Sequence, residues 1–140
     1  MIKTAALSAV AALSLGLSAT AAFAGDAHEG EEGFRQCRSC HSITADDGTV
    51  IQRGGRTGPN LYGLPGRAVA SVEGFNYSDG LHALAATGAT WTEDLFVEYT
   101  ADPTAFLRAH LNDNSLRSAM NFRLRSGADN LWAYLQSVSQ

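Results

Sequence analysis

Residues 37–41 read Cys37-Arg38-Ser39-Cys40-His41, and the chain holds no other cysteine. Two thiols three residues apart project from one helical turn, and a histidine follows the second directly. Each competing use of that order asks for something further. Two cysteines in an exported chain usually form a disulfide. A thioredoxin-like redox pair wants a strand in front of it, and no strand pattern precedes residue 37. A structural zinc site wants four ligands, usually as two pairs, and there is no second pair. Covalent haem attachment fits best: the thiols meet the two vinyl groups along one edge, and His41 then lies beneath the iron.

The N-terminus supports an oxidising compartment. Lys3 precedes an apolar, small-residue run from Ala5 to Ala22, which ends in Ala22-Phe23-Ala24. These are the marks of a cleaved secretory leader, expected over residues 1–24, with one domain over 25–140. Nothing beyond residue 25 approaches the ~18 consecutive apolar residues of a spanning helix, so no permanent anchor is expected. The mature chain keeps nine arginines and no lysine against fourteen acids, a formal charge of −5. Such a chain lacks the basic face that nucleic-acid binding needs.

An iron held by one imidazole needs a sixth ligand or an open face. Met120 is the one methionine past the leader, in a segment without helical periodicity; a packed core methionine is its plainer reading. His28, His82 and His110 are the alternatives. His28 reads as a surface residue of the opening helix, and the other two fall on helical stretches. Met120 is the stronger candidate, and a thioether ligand raises the potential and suits electron exchange.

The remaining pattern is all-α. Asp26 with Glu29 makes a capping-box signature for the opening helix, and Phe34 faces inward one turn before Cys37. Asp79–Ala86 reads as a short helix stopped by Gly88. Thr92–Ala101 reads as another, with Thr92 as its cap and Pro103 closing it, and Pro103–Leu111 as a third. Leu131, Tyr134, Leu135 and Val138 form one apolar stripe on a last helix with Asp129 or Asn130 at its start, just after Gly127 breaks the chain. Residues 42–78, rich in glycine and proline, read as a long connection without regular structure that needs a large apolar cofactor to wrap.

These motifs taken in order resemble class I cytochrome c, closest to the c-two subgroup of purple and related alphaproteobacteria. Gly58-Pro59-Asn60-Leu61-Tyr62-Gly63-Leu64-Pro65-Gly66-Arg67 matches the loop after the haem motif. Gly74-Phe75-Asn76-Tyr77-Ser78-Asp79, Ala89-Thr90-Trp91, Tyr99 to Pro103, Met120-Asn121-Phe122 and Trp132-Ala133-Tyr134-Leu135 follow, covering nearly all of 26–138. The resemblance implies four to five helices around one haem c, with thioethers at Cys37 and Cys40 and axial ligands His41 and Met120. It also implies that the Pro59 carbonyl orients His41, that Arg67, Tyr77 and Trp91 bond the propionates, and that Tyr99 approaches the methionine sulfur.

Three departures stand out. The stretch from His41 to Gly58 is long compared with mitochondrial relatives. The proline often found before the axial methionine is absent from 112–119, which predicts a looser loop and a more labile iron–sulfur bond. The ring of lysines at the haem edge is missing too. Arg53 and Arg56 lie in one acid-free stretch, 48–72, and Arg117, Arg123 and Arg125 in another, 114–128; together they would give a positive docking front. The implied protein is a monomeric periplasmic carrier. It would take one electron at a time from a cytochrome bc complex to a photosynthetic reaction centre or a terminal oxidase. The rival is a gas-binding or peroxide-reducing haem protein in which Met120 is off the iron.

Overall fold

The computed structural model describes residues 25–139; the leader expected over 1–24 lies outside the described residues. Helix α1 spans Ala27–Gly33 and runs into a 3-10 turn, Phe34–Gln36. Asp26 caps it, its carboxylate accepting the His28 and Glu29 N–H groups at 2.8 and 3.2 Å. The expected capping box is only half formed. The Asp26 N–H goes to Asn130 Oδ1 at 2.8 Å, so the reciprocal partner comes from the far end of the chain.

Helices α2 (Asp79–Ala85), α3 (Glu93–Ala101), α4 (Pro103–Leu111) and α5 (Ala128–Val138) follow. Thr92 caps α3 through its hydroxyl, which accepts the Leu95 N–H at 3.2 Å. Asp102 caps α4 in the same way, accepting Ala105 N–H at 3.0 Å, with Pro103 at the start where its missing N–H costs nothing. The start of α5 corrects the sequence reading. The helix begins at Ala128, ahead of Asp129 and Asn130, and Gly127, where the chain was expected to break, is its cap residue with φ of 78°.

Residues 42–78 are less irregular than expected. Strands β1 (Ile43–Thr44) and β2 (Val50–Gln52) form a small antiparallel hairpin, with Ile43 opposite Gln52 and Thr44 opposite Val50. An isolated bridge pairs Ala68 with Thr90. The other regular elements among the described residues are helices, and none of these is long and apolar enough to cross a membrane.

The first and last helices make the most extensive pairing. Gly30 lies at their crossing, where a Cβ would collide with the Asn130 carbonyl and come within 2.8 Å of the Tyr134 Cβ. Only glycine allows that approach. Phe34, Leu135, Leu107, Leu84 and Ile43 are fully buried in the core, each contributing about 1.5–3 kcal/mol of transfer free energy. This core fixes α1 and the turn after it, and so fixes where Cys37 to His41 emerge.

Candidate functional site

Cys37 to His41 form a tight turn, with the Cys40 and His41 N–H groups both donating to the Cys37 carbonyl at 3.1 and 2.9 Å. Cys37 is partly buried and Cys40 exposed. Burial, with Cys40 nearby, pushes the Cys37 thiol up to about 11. Hydrogen bonds from Thr57 and Ser39 hold the Cys40 thiol below its ordinary value. The loop that follows grips the turn by its backbone: Gly55 N–H donates to the Arg38 carbonyl and Gly58 N–H to that of Cys40, both at 2.8 Å.

The His41 ring is held from two sides. Nδ1 lies 2.8 Å from the Pro59 carbonyl, a contact that makes it the donor and leaves the Nε2 lone pair free. A Cβ on Gly58 would overlap the ring itself, so the residue must be glycine for the imidazole to lie there. Burial lowers the His41 pKa, opposed by the bond to Pro59. A neutral imidazole with one committed nitrogen is what a metal ligand requires.

Met120 is partly buried against the core. Its N–H donates to Ser118 Oγ at 3.1 Å, and that hydroxyl also meets the Tyr99 hydroxyl at 3.0 Å. Tyr99 therefore reaches the methionine's backbone through Ser118. Burial raises its pKa, and the bond to Ser118 opposes that. Without that proline, residues 116–124 are tied to the neighbouring helices by side chains and backbone. Arg108 Nε donates to the Leu116 carbonyl at 2.8 Å, Ser118 N–H to Thr104 Oγ1 at 3.1 Å, and Leu124 N–H to the Thr100 carbonyl at 2.8 Å. Arg123 pairs with Asp102 at 3.0 Å. The methionine segment is thus laced to the α3–α4 elbow.

Arg67 and Trp91 are joined through the backbone, Trp91 N–H donating to the Arg67 carbonyl at 2.9 Å. The Trp91 ring packs edge-on against Tyr99, centroids 5.3 Å apart. Arg67 gives its terminal nitrogens to the Tyr62 and Asn60 carbonyls at 2.8 and 3.2 Å, while its Nε is buried with no partner. Desolvation lowers the Arg67 pKa. The Tyr77 hydroxyl accepts the Val72 N–H at 3.2 Å and retains its own proton for a further acceptor. Ser78 Oγ is buried without a partner as well. Two orphaned buried donors are costly unless an acceptor comes to them. Haem propionates are such acceptors, so the residues fit a haem. Ser78 was missed from the sequence, because a serine before a helix reads as a cap, and here its side chain caps nothing.

Beside these residues, Ser42, Gly58, Asn60 and Phe75 help line a cleft of about 290 Å³. The three other histidines, His28, His82 and His110, are exposed on α1, α2 and α4. The expected docking arginines are scattered. Arg53 joins Arg35 and Arg38, which the sequence reading omitted, around an open pocket. Arg56, Arg117 and Arg125 are exposed, and Arg123 is already paired.

No family model matches the chain. It is 49% identical to cytochrome c-551 of Roseobacter denitrificans over 128 residues, 91% of each chain. It is 48% identical to cytochrome c2 of Rhodobacter capsulatus over 129 residues, 92% of each. Among solved structures, that of the Rhodobacter capsulatus cytochrome c2 superposes with a TM-score of 0.80 at 46% identity, covering 83% of this chain and all of that one. Ferric cytochrome c-550 of Paracoccus versutus gives 0.80 at 42% identity, covering 83% and 99%.

Proposed function

Because the chain belongs to the cytochrome c2 group of class I c-type cytochromes, electron carriers with one covalently attached haem c, we propose that it relays electrons between membrane redox complexes in the periplasm. The donor in this reading is a cytochrome bc complex, and the acceptor is a photosynthetic reaction centre or a terminal oxidase. When bound, the haem iron supplies the chemistry by cycling between ferric and ferrous states.

The chain's own residues hold and tune that group. Cys37 and Cys40 form the thioethers. His41 would offer Nε2 to the iron, and Met120 would supply a thioether ligand. Arg67 through its free Nε, Tyr77, Ser78 and Trp91 donate to the propionates, and burial of those carboxylates is tolerable only with such donors. Tyr99 positions the methionine segment. The observation that carries the assignment is the 2.8 Å contact between His41 Nδ1 and Pro59, which commits one ring nitrogen and frees the other directly after the cysteine pair.

A leader over residues 1–24 delivers the chain to the periplasm, and the mature carrier is a monomer. Arg38 and Arg53, which line one open pocket, are the centre of the proposed docking surface, with Arg56, Arg117 and Arg125 as further exposed positive charges. Weak, screened attraction suits a carrier that must release its partner.

The test is a purified mature protein. Its mass should equal residues 25–140 plus one haem. Its ferric spectrum should carry the weak long-wavelength band of iron–thioether ligation, and Met120→Ala should abolish that band. Electron transfer with the membrane complexes should slow as salt rises, because exposed charges are screened within ~10 Å at 0.1 M. A colourless product, or a band that survives Met120→Ala, would refute the assignment.

A further inference from the structure

The segment that brings Met120 into place has no proline, and residues 112–115 are short and polar: Asn112, Asp113, Asn114 and Ser115. Ordering such a stretch costs about 1–2 kcal/mol per residue in backbone entropy, so something must hold it. One residue touches both of its ends. The Arg108 carbonyl takes the N–H of Asn112, a left-handed residue with φ of 50°, and that of Asp113 at 3.1 Å. The Arg108 side chain then reaches across and donates from Nε to the Leu116 carbonyl at 2.8 Å. The backbone of residue 108 starts the loop, and its guanidinium closes it.

From Leu116 the restraint passes on without a gap. Ser118, two residues later, donates its N–H to Thr104 on the same helix, and its hydroxyl takes the Met120 N–H. From these contacts we infer that Arg108 is a positioning residue for the Met120 sulfur, resisting its displacement from the iron. This rests on Met120 being the axial ligand. Arg108 is half-buried, where a charge-assisted bond to a carbonyl is stronger than a neutral one. Nothing in the sequence marks it, since an arginine in the last turn of a helix already has a reason to be there, facing the negative end of the dipole.

If displacing the Met120 sulfur moves residues 116–120 away from α4, a competing ligand for the iron works against this bond. The experiment is imidazole titration of the ferric holoprotein, followed by loss of the long-wavelength thioether band. Arg108→Met keeps the apolar stem and removes the donor, and should bind imidazole about tenfold more tightly. Arg108→Lys restores one donor and should return most of the difference. Gln52→Leu is the control. It removes a 2.9 Å bond to Tyr134 on α5, away from the loop, and should lower thermal stability without changing imidazole affinity.

Wild-type affinity in Arg108→Met overturns the proposal, and so does equal tightening in Gln52→Leu. Arg108→Leu, which likewise has no donor, is read in the same way should Arg108→Met fail to mature. If the wild-type ferric protein shows no thioether band, the ligand assignment falls and this proposal falls with it. A band with unchanged affinity removes Arg108 alone.

Discussion

The two sides of the site are built from different materials. On the imidazole side, backbone meets backbone: Gly55 and Gly58 donate to carbonyls of the Cys37–His41 turn, and the Pro59 carbonyl holds the ring. On the methionine side, side chains meet backbone, through Arg108, Thr104 and Ser118. A backbone grip tolerates no added carbon, so its failures should be abrupt. A side-chain lacing distributes the load, so its failures should be partial and separable.

The largest expected effect is on the imidazole side. Gly58→Val places carbon atoms where the His41 ring lies, and should cost about 3 kcal/mol. Denaturant midpoints and holoprotein yield measure this. A stable, fully haem-loaded Gly58→Val would end the distinction between the two sides. Next comes Ser118→Ala, which leaves the buried Tyr99 hydroxyl and the Met120 N–H without their shared partner. The expected loss is about 2 kcal/mol. Adding Tyr99→Phe should recover a good part of it, because the orphaned phenol is gone; a double variant no better than the single would mean that the pair is not coupled.

Thr104→Val removes the acceptor for Ser118 N–H and should cost about 1 kcal/mol. Chemical denaturation of this variant with Arg108→Met would show whether the ties add or act as one unit. The smallest effect belongs to Arg123→Ala. The ion pair with Asp102 leaves the arginine 63% exposed, so solvent screening holds its worth below about 1 kcal/mol, and less in salt. A loss as large as that of Ser118→Ala would mean that charge, and not hydroxyl lacing, holds the methionine segment.

The same contrast explains what could be read from the sequence. A backbone grip demands glycine and proline at fixed offsets, and the role of Gly58-Pro59 beside Cys37 to His41 was legible through the family resemblance that carries those offsets. Helices α3 and α4 were legible because Thr92 and Pro103 have few other uses at such positions. Side-chain lacing leaves no comparable mark. Ser118, Thr104 and Arg108 are common residue types acting on backbone groups up to fourteen residues away. Ser78 was hidden by its resemblance to a helix cap. The hairpin at 43–52 escaped because strands of two and three residues are too short to show alternation, although Asp47-Gly48 between them is a turn signal. The start of α5 was set a residue or two late: Gly127 showed the break, but Ala128 carries no start signal, and Asn130 is engaged with Asp26.

That last contact, between residues 104 positions apart, sets an order of events. The first helix finds its partner only when the final one has been made, so the earliest part of the fold to emerge from the ribosome or a translocation channel is among the last to close. Until then the turn that carries the thiol pair lacks the packing of the last helix behind it. Circularly permuting the chain so that the two terminal helices emerge together would shorten this window, and should lower the fraction of molecules that become coloured.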